Sequence, residues 1–320
     1  MALGEFELIR RFFTQQPVHH AGTVLGVGDD CALLRCGDGW DLAVTVDTLV
    51  SGVHFLPEAD PESLGHKVLA VNLSDLAAMG AEPRWATLAL TLPAVEEAWL
   101  EAFARGLFAL AARHGVEVVG GDTTRGPLAI TIQAMGRTPR GLALRRSGAR
   151  PGDLVYVSGP LGSAGLGLRI RLGQTDLDDP ESLRQLERPE PRLELGRQLR
   201  GLASACIDIS DGLAADLGHI LEASGVGASL DFEYLPLVEG VRRHLADTGD
   251  WRMPLSAGDD YELCFTVPPE KKYELERRLT RAGLGAFPVG HIESEPGLKL
   301  RKDGGDIDLA PSGYEHFSRT

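Results

Sequence analysis

Aspartates stand where apolar runs break off along this chain. Asp29 and Asp30 follow Gly28, Asp47 closes AVTV, Asp122 follows VVGG, and Asp208 and Asp211 flank Ser210. Strand ends of α/β proteins are where ligands gather. Taken singly, Gly-Asp and Asp-Gly pairs are ordinary turn and cap chemistry, and Asp211 before GLAADLGHI has the position of a helix cap. Together they have another use. Two carboxylates about 4 Å apart repel by roughly 4 kcal/mol at an effective dielectric near 20, so several at one place imply cations. Oxygen donors from Asp and Thr select magnesium or calcium over zinc, and magnesium bridging phosphates is the usual form in phosphoryl transfer. The expectation is a nucleotide site holding several magnesium ions. In VVGGDTTRGP (118–127) two glycines let the backbone approach a phosphate, but no lysine follows, so the stretch is not the usual phosphate loop.

Asp75 adds to this. In ESLGHKVLAVNLSDLAAMG, at about 100° per residue, it falls among Leu64, Val68, Val71 and Met79, away from Lys67 and Ser74. A carboxylate in an apolar stripe is costly unless paired or metal-bound. No arginine or lysine shares that face. Asn72, one turn earlier, is a candidate hydrogen-bond partner, and a structural polar network is the alternative to a metal.

These residues need strands and helices to bring them together. Helical spacing at residues 5–13 precedes strand-like TVLGVGDDCALLR and WDLAVTVDTLV, and a helix then runs from about Glu62 to Met79. Strand WATLALTLP, a helix carrying Trp99, Phe103, Leu107 and Leu110, strand VEVVGG and strand LAITIQAMG complete a β-rich half with helices on one face. The basic, Gly- and Pro-containing RTPRGLALRRSGARPGD is a joint, dividing the chain into residues 1–138 and 139–320. The second half has strand DLVYVSGP, a Gly-rich bend into a helix and another helix near Arg192 to Leu202. CIDISDGLAADLGHILEAS then gives strand, turn and helix, and LCFTV and PVGHI give further strands. The fold class is α/β (α+β) with two domains.

Bulk properties agree with such a protein. A chain of 320 residues is long enough for two cores. The net charge of −14 excludes the basic footprint that nucleic acid needs, though not a nucleotide held through cations. No apolar run approaches the roughly 20 residues of a membrane helix, and MALGEFELIRRFFTQQP lacks the pattern of a signal peptide, so the cytoplasm is expected and no membrane partner. Cys31, Cys36, Cys206 and Cys264 fit neither a disulfide framework nor a zinc site and are expected as reduced core or near-core thiols.

In order along the chain, GVGDDCALL, VTVDTLVSGVHF, KVLAVNLSDLAAMGAEP, GGDTTRGP, RSGARPGD, IDISDGLAADL and GDDYELCFTVP resemble the thiamine-monophosphate kinase family over essentially the whole length. Each motif is weak alone; seven in order are strong. The resemblance implies ATP-dependent phosphorylation of thiamine monophosphate to thiamine diphosphate. It also implies the fold of aminoimidazole ribonucleotide synthetase-like proteins, in which N-terminal halves pair across a homodimer into a β-barrel. Carried over residue by residue, it makes Asp30, Asp47, Asp75, Asp122, Asp208 and Asp211 magnesium ligands, with Thr45 contributing an oxygen and Val46 its carbonyl. Gly121, Asp122, Arg146 and Ser210 would contact ATP; His54, Asp259 and Tyr314 would face the thiamine side. Gly258-Asp259-Asp260 departs from the family's usual Gly-Glu-Asp by one methylene, and Arg105 falls near the family's aromatic nucleotide contact, which is not carried over.

On this reading the acceptor is itself a phosphate, so transfer is direct and His54 positions rather than abstracts a proton. GPLGSAGLGL lacks the phosphate-loop and dinucleotide fingerprints and is expected to pack a helix closely. EKKYELERRL is expected as a solvated helix face. Another ATP-using synthetase of the same superfamily, a magnesium-dependent phosphohydrolase and a non-catalytic binding protein are the alternatives.

Overall fold

In Trp40–Val50 alternate residues face opposite ways: Asp41, Ala43, Thr45 and Leu49 are buried, whereas Val46 and Thr48 are exposed. That period of two makes a strand with one covered face. The computed structural model describes residues 22–37, 39–309 and 313–314; the helix expected at 5–13 lies outside them. The first half contains β1 (Thr23–Leu25), β2 (Ala32–Arg35), β3 (Trp40–Val50), β4 (Glu82–Leu92), β5 (Glu117–Arg125) and β6 (Ala129–Pro139), with helices α1 (Pro61–Ala78) and α2 (Glu97–His114). Its six-stranded sheet runs β1-β2-β3-β6-β4-β5, antiparallel except for the β4–β5 pair, which α2 connects as a parallel crossover.

Two local differences from expectation matter to the site. Asp47 lies inside β3 rather than at its end, and β5 runs on through Asp122 to Arg125 instead of ending at Gly121. The turn itself falls at 126–128.

Helix α1 is the pivot of the molecule. Asp60 caps its start, accepting the Ser63 amide and hydroxyl at 2.8 Å each. Fourteen of its eighteen residues are buried, so it is enclosed on all sides rather than along one stripe. Lys67 and Ser74, expected on an outer side, are therefore buried as well. Helix α2 crosses it where both helices are reduced to glycine. A Cβ on Gly65 would lie 2.0 Å from the Phe103 carbonyl oxygen, and one on Gly106 1.8 Å from that of Glu62.

The second half contains β7 (Leu154–Val157), α3 (Ser163–Arg171), α4 (Pro180–Glu187), α5 (Leu193–Leu199), β8 (Ala205–Asp208) and α6 (Leu213–Ser224). It continues with β9 (Gly227–Asp231), α7 (Glu239–Thr248), α8 (Met253–Ser256), β10 (Leu263–Val267), α9 (Lys272–Ala282), β11 (Phe287–Glu293), β12 (Gly297–Lys302) and β13 (Gly305–Leu309). Its sheet runs β13-β12-β9-β11-β7-β10-β8, antiparallel apart from β12–β9. At β10 both faces are covered. Leu263, Phe265 and Val267 of β10 join the core built around α1, while Cys264 joins Leu213, Leu217 and Ile220 beneath α6. Double coverage explains why β10 is buried at every position. Among the described residues Cys31, Cys206 and Cys264 are buried thiols and Cys36 is exposed, and no helix is long and apolar enough to cross a membrane. Gly162 and Gly165 of the Gly-rich bend do pack closely, since a Cβ on Gly165 would lie 2.4 Å from that of Ala257.

Candidate active site at the seam of the two sheets

A cavity of about 1090 Å³ opens between the halves. Four segments bring carboxylates together on its wall: the β1–β2 loop brings Asp29 and Asp30, β3 brings Asp47, α1 brings Asp75, and the end of β8 brings Asp208, while Asp211 and Asp259 line it as well. Carboxylate oxygens of Asp30, Asp75 and Asp208 lie within 4.8 Å of one another. Asp47 lies close enough to Asp75 for the two carboxylates to influence each other's protonation. Thr45 donates its hydroxyl to Asp75 Oδ2 at 2.5 Å, and Ser74 donates to Asp208 Oδ2 at 2.7 Å. Asn72 does not serve Asp75; its amide donates instead to the Val68 carbonyl one turn back.

The electrostatics are those of a site short of positive charge. Burial pushes the Asp208 carboxyl up to about 8, with Asp30 adding to the rise and the Ser74 hydroxyl opposing it. Burial and then the charges of Asp47, Asp208 and Asp30 hold Asp75 well above the usual carboxylate range. Asp47 is raised by burial and by Asp30, and Asp29 is pushed up to about 6 by burial and Asp30. Arg146 is the cation within this cluster, with Nη2 at 2.7 Å from Asp30 Oδ1 and its amide donating to Asp29. The other oxygen of Asp30 is buried without a hydrogen-bond partner. An all-oxygen donor set with an orphaned lone pair and mutual repulsion is what a hard divalent cation relieves.

Most of the residues expected from sequence line this cavity: Asp30, Thr45, Val46, Asp47, His54, Asp75, Arg146, Asp208, Ser210, Asp211, Asp259 and Tyr314. The side chain of Val46 is exposed, on the face of β3 opposite the buried Thr45. Gly121 and Asp122 stand apart, on the exposed strand β5 in register with Leu88 and Ala89. Gly121 has a packing reason of its own, because a Cβ there would lie 1.8 Å from the Leu88 carbonyl oxygen. Asp211 does not cap α6. Asp216 takes that part, accepting the amides of Asp211 and Gly212 at 3.0 Å each and so fixing the loop after β8.

Sequence reasoning missed three groups around Asp259. Lys67 reaches it from α1, with Nζ at 2.8 Å from Oδ2. Asp260 turns away to accept the Gly162 amide at 2.7 Å at the start of α3. Glu262 is buried and paired with Arg192, whose Nε lies at 2.7 Å, and accepts the Ser158 hydroxyl. The signal was available: four acidic or hydroxyl-bearing side chains in GDDYE immediately before a fully buried strand need named partners.

Comparison with known proteins agrees with this arrangement. Residues 28–138 match the family model for the AIR synthase related protein, N-terminal domain, and residues 150–303 match that for the C-terminal domain. The thiamine-monophosphate kinase of Salmonella typhimurium is 48% identical over 323 residues, covering 99% of each chain. A crystal structure of the Stenotrophomonas maltophilia thiamine-monophosphate kinase has 46% identity and a TM-score of 0.79, covering 89% of this chain and 92% of its own. The structure of AaThiL complexed with AMPPCP and TMP superposes with a TM-score of 0.86 at 32% identity, covering 99% of both. With both domain models matched in order and nearly half of all positions identical along the full length, the chain belongs to the thiamine-monophosphate kinase family of AIR synthase related proteins.

Proposed function

We propose that this protein transfers the terminal phosphoryl group of ATP to thiamine monophosphate, giving thiamine diphosphate and ADP. The observation that carries the proposal is the meeting of Asp30, Asp75 and Asp208, from both halves of the chain, on the wall of one cavity. The names of the relatives and the AMPPCP and TMP bound to AaThiL support the same substrates.

An acceptor that already carries a phosphate monoester has a nucleophilic oxygen at neutral pH, so no general base is needed. That oxygen forms a bond to the terminal phosphorus of ATP while the bond from phosphorus to the bridging oxygen breaks and ADP leaves, without a phospho-enzyme. Asp30, Thr45, the Val46 carbonyl, Asp47, Asp75, Asp208 and Asp211 would hold several magnesium ions, which would supply charge neutralisation to the phosphates and the transferring group; Asp122, apart from the cavity on β5, is added to this set on the family resemblance alone. Gly121, Arg146 and Ser210 would hold ATP. His54, Asp259 and Tyr314 would face the thiamine end. The Val50 amide donates to His54 Nδ1 at 3.0 Å, which puts the ring proton on Nε2 and makes that nitrogen a donor. This supports a positioning role for His54.

Residues 1–138 form the domain that binds ATP and magnesium in this reading, and residues 139–320 complete the site. Val46 and Trp85 are exposed on the open face of the six-stranded sheet, which supports pairing of two such sheets into a β-barrel across a homodimer. The compartment assigned is the cytoplasm.

Incubation with ATP, magnesium and thiamine monophosphate, with free thiamine and no acceptor as controls, tests the reading. Thiamine diphosphate formed one for one with ADP, and only from the monophosphate, is the expected result. ADP or phosphate released equally without acceptor would overturn it in favour of a hydrolase or another synthetase.

A further inference from the structure

Lys67 is an enclosed cation at the acceptor end of the cavity. It is 5% exposed, and its ammonium group meets Asp259 Oδ2 at 2.8 Å. The second oxygen of Asp259 accepts the hydroxyl of the buried Tyr261 at 2.9 Å. Asp259 (φ 67°) and Tyr261 (φ 48°) both occupy the left-handed region without being glycine. Such backbone persists only where its surroundings hold it. Here the Asp259 amide donates to the Ser210 carbonyl and the Tyr261 amide to that of Ile209, each at 2.8 Å, tying the segment to the loop after β8. The Asp259 side chain nevertheless remains about one-third open, at 32% exposure, and lines the cavity.

Lys67 and Asp75 lie on the same rigid helix, eight residues apart, which at 1.5 Å per residue is about 12 Å. One end of that span serves the clustered carboxylates and the other serves Asp259. The arrangement suits an acceptor with its phosphate at the first end and its ring at the second. Without Lys67, Asp259 would add one more uncompensated negative charge to a cavity already lined by Asp47, Asp75 and Asp208, and would repel an anionic acceptor.

We infer that Lys67 is a positioning residue for the acceptor, aiming the Asp259 carboxylate and offsetting its charge from the opposite half of the protein. The inference rests on reading Asp259 as an acceptor contact.

Steady-state kinetics on the full-length enzyme test it, with Lys67→Met, Asp259→Asn and the double variant, and with KM measured separately for thiamine monophosphate and ATP. Lys67→Met should raise KM for thiamine monophosphate about tenfold or more while KM for ATP stays within about twofold. In the Asp259→Asn background the same substitution should add little, because its target charge is gone. That comparison also keeps the test open if Lys67→Met alone leaves a buried carboxylate unpaired and does not fold. An unchanged acceptor KM in Lys67→Met, both KM values rising together, or full additivity in the double variant would overturn the inference. An unchanged acceptor KM in Asp259→Asn would instead overturn the reading of Asp259 beneath it.

Discussion

Ser74 donates its hydroxyl to Asp208 at 2.7 Å, so a helix of the first half holds the carboxylate that ends a strand of the second. Both residues are buried, and the neighbouring Asp75 joins the same carboxylate cluster. The cluster is thus shaped by packing α1 against β8, not by either half alone. Ser74→Ala should cut turnover about 10- to 100-fold, the usual cost of removing a hydrogen bond behind a metal-binding carboxylate. Activity titrated with magnesium checks this: the half-saturating concentration should rise. A lower melting temperature with unchanged magnesium dependence would mean that the bond serves folding alone.

Asp75→Asn should move stability and activity in opposite directions. The carboxylate is partly buried, and desolvation followed by the charges of Asp47, Asp208 and Asp30 holds it well above its usual range. An amide keeps an acceptor for the Thr45 hydroxyl and removes the repulsion. In the presence of a chelator the variant should melt higher by a few degrees, about 1 kcal/mol of stabilisation for a protein of this size. Turnover should fall by at least about 100-fold, and the rise in melting temperature on adding magnesium should shrink. A variant that melts lower without metal would refute the repulsion.

Much of this site was legible because its ligands sit in strand and loop positions with short-range signals. Gly28-Asp29-Asp30, the β3 aspartate and the loop after β8 were each visible, and the strands WDLAVTVDTLV and LCFTV fall where period and β-branching put them. Helix α1 was legible in extent but not in environment. A helical wheel separates Asp75 from Lys67 and Ser74, yet two sheets and three other helices enclose α1, so all three side chains find partners inside. Long-range pairs of this kind leave no local pattern. The β12–β13 hairpin had the opposite fate: Asp303-Gly304 is a strong turn signal, with φ of 51° and 76°, and went unread beside the larger motifs. Asp122 shows the limit of motif reading, since its neighbour Gly121 serves the close approach of β5 to β4 whatever else it does.

Arg192, its side chain 31% exposed, pairs behind the site with Glu262, whose side chain is 2% exposed and also accepts the Ser158 hydroxyl. Arg192→Met strands that carboxylate. The expected loss is about 2–3 kcal/mol, below the full cost of breaking a wholly buried ion pair because the arginine is partly screened by solvent. Arg192→Met with Glu262→Gln should recover most of it. Urea denaturation of the two variants checks this, and equal losses in both would mean that shape rather than charge governs the position.

Asp260 gives a pH dependence whose sign follows from its surroundings. Burial pushes its carboxyl up to about 8 from an ordinary 3.8, while the Gly162 and Ala164 amides pull the other way. Between those two values the folded protein holds a proton that the unfolded chain has released, so stability falls as pH rises across that window. The contribution is fully present below about pH 4 and lost above about pH 8, on the order of several kcal/mol. Asp260→Asn cannot titrate but keeps an oxygen for the Gly162 amide. Its unfolding free energy, measured with chelator present at intervals from about pH 5 to pH 8, should decline less steeply than that of the parent protein. Some slope should remain, because Asp208 and Asp29, raised to about 8 and about 6, act in the same direction. Parallel slopes in the two proteins would show that the charge at position 260 is already accommodated by the amides at the start of α3.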